Sequence, residues 1–122
     1  METRIQELML EGYCCSQIIM LLGLEKLDKD NPDLVKSMAG LCKGMQLEKT
    51  CGTLSAAFCL LALADPRKAQ NRYIPELNQW FLDTFDSTDC DELVKNDPSL
   101  MATLCPELMR GTFDKISDMM EW

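Results

Sequence analysis

Seven cysteines and no histidine make sulfur the chemistry to consider first in this 122-residue chain. Thiolates are soft metal ligands and also attack disulfides. Such a set can hold an iron–sulfur cluster or zinc, or exchange electrons between dithiol and disulfide. Lacking histidine, the chain cannot build a Ser-His-Asp triad, a Cys-His nucleophile pair, His-ligated zinc or a histidine-bound haem. Neither G-x-x-x-x-G-K-[ST] nor G-x-G-x-x-G occurs, so no phosphate-cradling loop is legible. Carboxylates are plentiful but scattered, and nothing assembles into the constellation of a hydrolase or kinase.

Which cysteines can meet depends on the elements that carry them, and those read as helices throughout. "ETRIQELMLEG" places Ile5, Leu8 and Met9 at helical spacing and closes on Gly12. "YCCSQIIMLLGLEKL" restarts as a strongly apolar helix from about Cys14 to Leu27. A third helix is expected with Pro32 near its first turn, running out at Gly40. The loop "CKGMQLEK" then leads into "CGTLSAAFCLLALA", a helix ending near Asp65-Pro66. From about Arg67 the chain is amphipathic, with Tyr73, Leu77, Trp80, Phe81 and Thr84 on one side; Pro75 implies a kink or a helix start close by. A turn and short helix are expected in "DSTDCDELVKND" and a start at Pro98, and "CPELMRGTFDKISDMMEW" is read as the last helix. Valine occurs only at 35 and 94, and no alternating strand pattern appears. The expected fold is all-α, a compact bundle of about five to six helices in a single domain covering residues 1–122.

Composition sets the outer limits. The chain is long enough to bury a core without disulfide staples, and 47% hydrophobic and 26% charged residues suit an ordinary globular protein. A net charge of −8 argues against nucleic acid or an anionic membrane and favours encounter with a basic partner protein. The N-terminal residues do not read as a secretory signal, and the longest apolar run, Leu54–Ala64, is too short to span a bilayer. A cytoplasmic location is expected. In that reducing setting, cysteines are more often ligands, redox thiols or buried hydrophobes than structural disulfides.

Placed on the helices, the cysteines separate into two groups. Cys15, Cys51, Cys90 and Cys105 fall at or beside expected helix starts, with Cys105 as the N-cap before Pro106. A helix start offers unpaired N–H groups and partial positive charge, which should lower a thiol's pKa. Convergence of the four starts would make an electropositive pocket of sulfur ligands. Cys59, in a wholly apolar stretch, is read as core, and Cys14 as packing. Cys42, in the glycine-flanked "AGLCKGM", could approach a cluster or act as a resolving thiol. Spacing alone does not choose, because no Cys-x-x-Cys pair is present.

The segments "GYCCSQ", "TCGTLSAAF", "FDSTDCDEL" and "CPELMRGTFDKISDM" together resemble the C-GCAxxG-C-C family, small bacterial and archaeal proteins described as redox-active. The resemblance extends from about Gly12 to Met119 and carries the family cysteines onto Cys15, Cys51, Cys90 and Cys105. Cys14 replaces a usual asparagine, Ser16 and Thr53 replace alanines, and Ala56 replaces a glycine, which should widen helix packing slightly. The resemblance implies redox chemistry without naming a substrate.

Two functional readings follow, with a structural one behind them. The first is an iron–sulfur cluster on Cys15, Cys51, Cys90 and Cys105, used for electron transfer with a redox partner protein. The second is thiol–disulfide exchange by two of the same four cysteines. A zinc-stabilised helical interaction module stands third. Met119 and Met120 near Trp122 are read as core filling, with a homodimer contact as the alternative.

Overall fold

The computed structural model describes residues 2–93 and 101–122. The expected start at Pro98 lies outside the described residues. At the centre, α2 (Cys15–Lys26) packs along α4 (Gly52–Ala64). Both are apolar nearly all round, which suits helices enclosed by others. Their approach is close because Gly23 of α2 has no Cβ to strike the side chain of Leu60. Ala56, also on α4, is fully buried.

Around this pair the remaining helices bury one stripe each. The first, α1 (Glu2–Leu10), turns Ile5 and Leu8 inward. It stops as the sequence suggests: Gly12 takes φ +95°, Gly12 N–H donates to Met9 O and Tyr13 N–H to Leu8 O. That pairing is a Schellman motif, and only glycine takes its left-handed position freely. The stop delivers the chain directly to Cys14, the N-cap of α2, whose N–H donates to Gln17 Oε1 at 3.1 Å.

Asn31 caps α3 (Pro32–Ser37) by accepting from Leu34 N–H, and a 3₁₀ turn continues to Leu41. The expected loop after it is an unusual turn in which Lys43, Gly44, Met45 and Gln46 all have positive φ. Left-handed backbone costs roughly 1–2 kcal/mol per non-glycine residue, so the surroundings must hold this turn in place.

Asp65 accepts from Lys68 N–H and Pro66 opens α5 (Pro66–Lys68). A π-helical turn over Ala69–Tyr73 joins it to α6 (Ile74–Phe85), which starts beside Pro75, the second of the two outcomes expected there. Leu77 and Phe81 are buried on α6, whereas Thr84 is exposed and does not belong to its apolar side. Short α7 (Cys90–Leu93) precedes α8 (Met101–Met120), which closes the bundle against α4, α2 and α1. Met119, Met120 and Trp122 pack against the core, as the core-filling reading expects.

Six helices have six or more residues, and no strand occurs among the described residues. The all-α expectation holds. An isolated antiparallel bridge pairs Thr50 with Asp89. Among the described residues no helix is long and apolar enough to cross a membrane.

Candidate functional site: a cavity lined by cysteine

The Thr50–Asp89 bridge brings two distant cysteines together. Cys51 N–H donates to Thr88 O at 2.7 Å, and Cys90 N–H donates to Lys49 O at 2.6 Å. The turn before Cys90 is itself pinned, because Ser87 Oγ accepts from Asp89 N–H and donates to Glu92 Oε2 at 2.7 Å. Cys51 is therefore the N-cap of α4 at a point sewn to Cys90, the first residue of α7. Cys15, the first residue of α2, joins them where Gly52 leaves room. A Cβ on Gly52 would lie 2.6 Å from Leu41 O and 3.1 Å from Cys15 Sγ.

Cys105 arrives differently from the expectation. Instead of capping the last helix, it lies within α8, and Pro106 is inside the helix with it. The proline rule misplaced the start because one missing N–H near the beginning of a 20-residue helix can be borne by the packing of the rest. Three of the four cysteines stand at helix starts, and the fourth reaches the same place from a helix interior.

All four line one cavity of about 260 Å³. Ile18, Leu108 and Met109 supply apolar wall, and exposed Tyr13 and Lys43 also border it. Two further cysteines line it. Cys14 and Cys42 form a disulfide with Cα atoms 6.2 Å apart, and both line the cavity. Reading Cys14 as packing is thereby corrected: it ties the start of α2 to the left-handed turn. No signal in the sequence pairs residues 14 and 42, because their meeting depends on how α3 folds back toward α2. Cys59 is corrected as well. It is exposed on the outer side of α4, with partly buried Ser55, Phe58 and Ala62 beside it. An all-apolar run carries no periodicity to show which face is outward.

Electrostatics also depart from the expectation of helix-start thiolates. Burial pushes the Cys15 thiol above its ordinary pKa of 9.0, Cys51 to about 11 and Cys105 to about 12. Nearby backbone N–H groups pull Cys15 and Cys51 back, but removal from water outweighs them. Mutual repulsion adds to the rise. Cys15 opposes ionisation of Cys51, while Cys15, Cys51 and Cys90 all oppose ionisation of Cys105. These thiols are close enough to feel one another's charge.

Thr53, the second residue of α4, is wholly buried, and its Oγ1 has no partner in hydrogen-bond geometry. The same hydroxyl favours the ionised forms of Cys15 and Cys51, though by less than burial disfavours them. Among the described residues no three cysteine, aspartate or glutamate side chains are gathered tightly enough for one metal ion. A tetrahedral zinc with Zn–S near 2.3 Å would need sulfurs about 3.8 Å apart.

Fold and site together define a small all-helical protein built around a cysteine-lined cavity. The chain belongs to the family described as "Putative redox-active protein (C_GCAxxG_C_C)", whose sequence model matches residues 13–119. No curated protein and no solved structure shows a significant match to it.

Proposed function

We propose that the protein is an electron carrier whose Cys15, Cys51, Cys90 and Cys105 hold an iron–sulfur cluster in the cavity. The observation that carries this reading is the convergence of these four thiols on one space of about 260 Å³. Soft sulfur donors with no histidine or tightly placed carboxylate among them suit an all-thiolate iron–sulfur site.

The raised pKa values of Cys15, Cys51 and Cys105 favour cluster binding over exchange by these three thiols. A thiol near pKa 11 or 12 is almost wholly protonated at neutral pH and is a poor exchange nucleophile. Positive charge inside the cavity would take the protons' place and remove the mutual repulsion. When bound, the cluster supplies a one-electron couple. The chain's part is to supply four thiolates, to aim N–H groups of α2 and α4 and the Thr53 hydroxyl at two of them, and to keep water scarce beside Ile18, Leu108 and Met109. The acidic surface suits a basic redox partner.

Purification without oxygen, followed by a visible spectrum and assays of iron, acid-labile sulfide and zinc, tests the reading. Broad visible absorption with matching iron and sulfide is expected. A colourless, metal-free protein that also fails to take up iron and sulfide on anaerobic reconstitution would contradict it.

A further inference from the structure

The Cys14–Cys42 disulfide borders the same cavity, yet neither sulfur belongs to the four-cysteine set. Its two ends differ in access. Cys14 is partly exposed at the N-cap of α2, whereas Cys42 is only 5% exposed. An incoming thiolate therefore reaches Cys14 Sγ and expels Cys42.

The buried end is equipped for that departure. Ser16 Oγ lies closer to Cys42 Sγ, at 2.9 Å, than to Cys14 Sγ, at 3.4 Å, and it donates to Met38 O at 2.6 Å. A hydroxyl has one proton, and that proton is committed to Met38 O. In the disulfide, Cys42 has no proton to offer, so the contact with Ser16 is not a hydrogen bond. Once the S–S bond opens and Cys42 is protonated, its S–H can donate to a lone pair of Ser16 Oγ. The chain of donors then runs Cys42 to Ser16 to Met38, which gives the buried thiol an acceptor. Lys43, the next residue, places a cation at the cavity's border, where it attracts an approaching thiolate.

We propose that Cys14 and Cys42 are a second redox site, a reducible couple that takes two electrons from a dithiol reductant. One reductant thiolate attacks Cys14 Sγ, forming a mixed disulfide while Cys42 leaves as thiolate and takes a proton from solvent. The second reductant thiol, deprotonated, attacks the reductant's own sulfur in that mixed disulfide. Cys14 leaves and is protonated, so the reductant ends as a disulfide and the protein as a dithiol. This proposal stands apart from the cluster reading, since it shares no ligand with it.

The test equilibrates the full chain in buffers of reduced and oxidised dithiothreitol, traps thiols by alkylation and locates them by peptide mass spectrometry. Cys14 and Cys42 should titrate together as one reversible two-electron step, with the far-ultraviolet circular dichroism of the folded chain unchanged. In Cys42→Ser, glutathione disulfide should trap its adduct on Cys14. Ser16→Ala should shift the equilibrium about tenfold toward the disulfide, or about 30 mV for a two-electron couple. A bond that opens only on denaturation, or whose opening unfolds the chain, identifies a structural staple and overturns the proposal. An unchanged midpoint in Ser16→Ala overturns the role given to that hydroxyl.

Discussion

Cys51 and Cys59 belong to one stretch of chain, two helical turns apart, and their surroundings have little in common. Cys51 caps α4, is 5% exposed, faces Cys15 and is held by a backbone bond to Thr88. Cys59 looks outward from the same helix, away from every other sulfur at the cavity. Eight residues at 100° each leave the two about 80° apart around the axis, so one helix cannot aim both at one place. The difference teaches that cysteine chemistry here is set by what other elements bring to a helix end, and not by the apolar sequence around the thiol.

The strongest way to break that comparison is to exchange the roles by mutation. On reconstitution with iron and sulfide, Cys51→Ser or Cys105→Ser should lower bound iron at least tenfold, and Cys59→Ser should leave it unchanged. Equal losses in all three variants would remove the distinction.

Packing should show the same contrast in stability. Gly52→Ala puts a methyl group against Leu41 O and Cys15 Sγ and should cost about 1–3 kcal/mol in urea unfolding. Cys59→Ser, at an exposed position, should stay within about 0.5 kcal/mol of the parent.

A smaller and pH-dependent effect comes from the raised thiols. Cys51 and Cys105 keep their protons in the folded chain up to about pH 11 and 12, while the unfolded chain loses them near 9. Between those values the folded state binds more protons, so stability is full below pH 9 and falls as pH rises toward 12. Denaturation midpoints measured from pH 8 to 11 check this, and Cys51→Ala with Cys105→Ala should flatten the slope.

The least effect is expected from Thr53→Val, which removes an unpartnered buried hydroxyl at nearly constant volume. Folding should be unchanged or stabilised by up to about 1 kcal/mol, while spectroscopic titration of Cys51 should move still higher.

Much of this was legible in the sequence where local rules act alone. Gly12 stops α1, Asn31 and Pro32 open α3, and Asp65 with Pro66 ends α4, because each is fixed by its own turn chemistry. Helix starts at Cys15, Cys51 and Cys90 were legible for the same reason. What stayed hidden was tertiary. The outward turn of Cys59 needs knowledge of which elements cover α4, and the pairing of Cys14 with Cys42 needs the path of a left-handed turn that no propensity favours. Cys105 failed in a third way: a proline rule valid for a free helix start was overridden by packing of the whole of α8. Burial reverses the direction that helix starts alone imply for the thiol pKa values, since a helix start favours a thiolate only where water or a cation can also reach it.

The central claim is that the four cavity thiols act as one ligand set, and differential alkylation tests it most directly. Full-length protein would be held with a small maleimide long enough for every free thiol of the metal-free form to react, before and after anaerobic reconstitution with iron and sulfide, then each cysteine quantified by peptide mass spectrometry. Cys15, Cys51, Cys90 and Cys105 should gain protection together, in proportion to bound iron, while Cys59 keeps its reactivity. Iron that binds without protecting all four, or that protects Cys59 equally, would contradict the account.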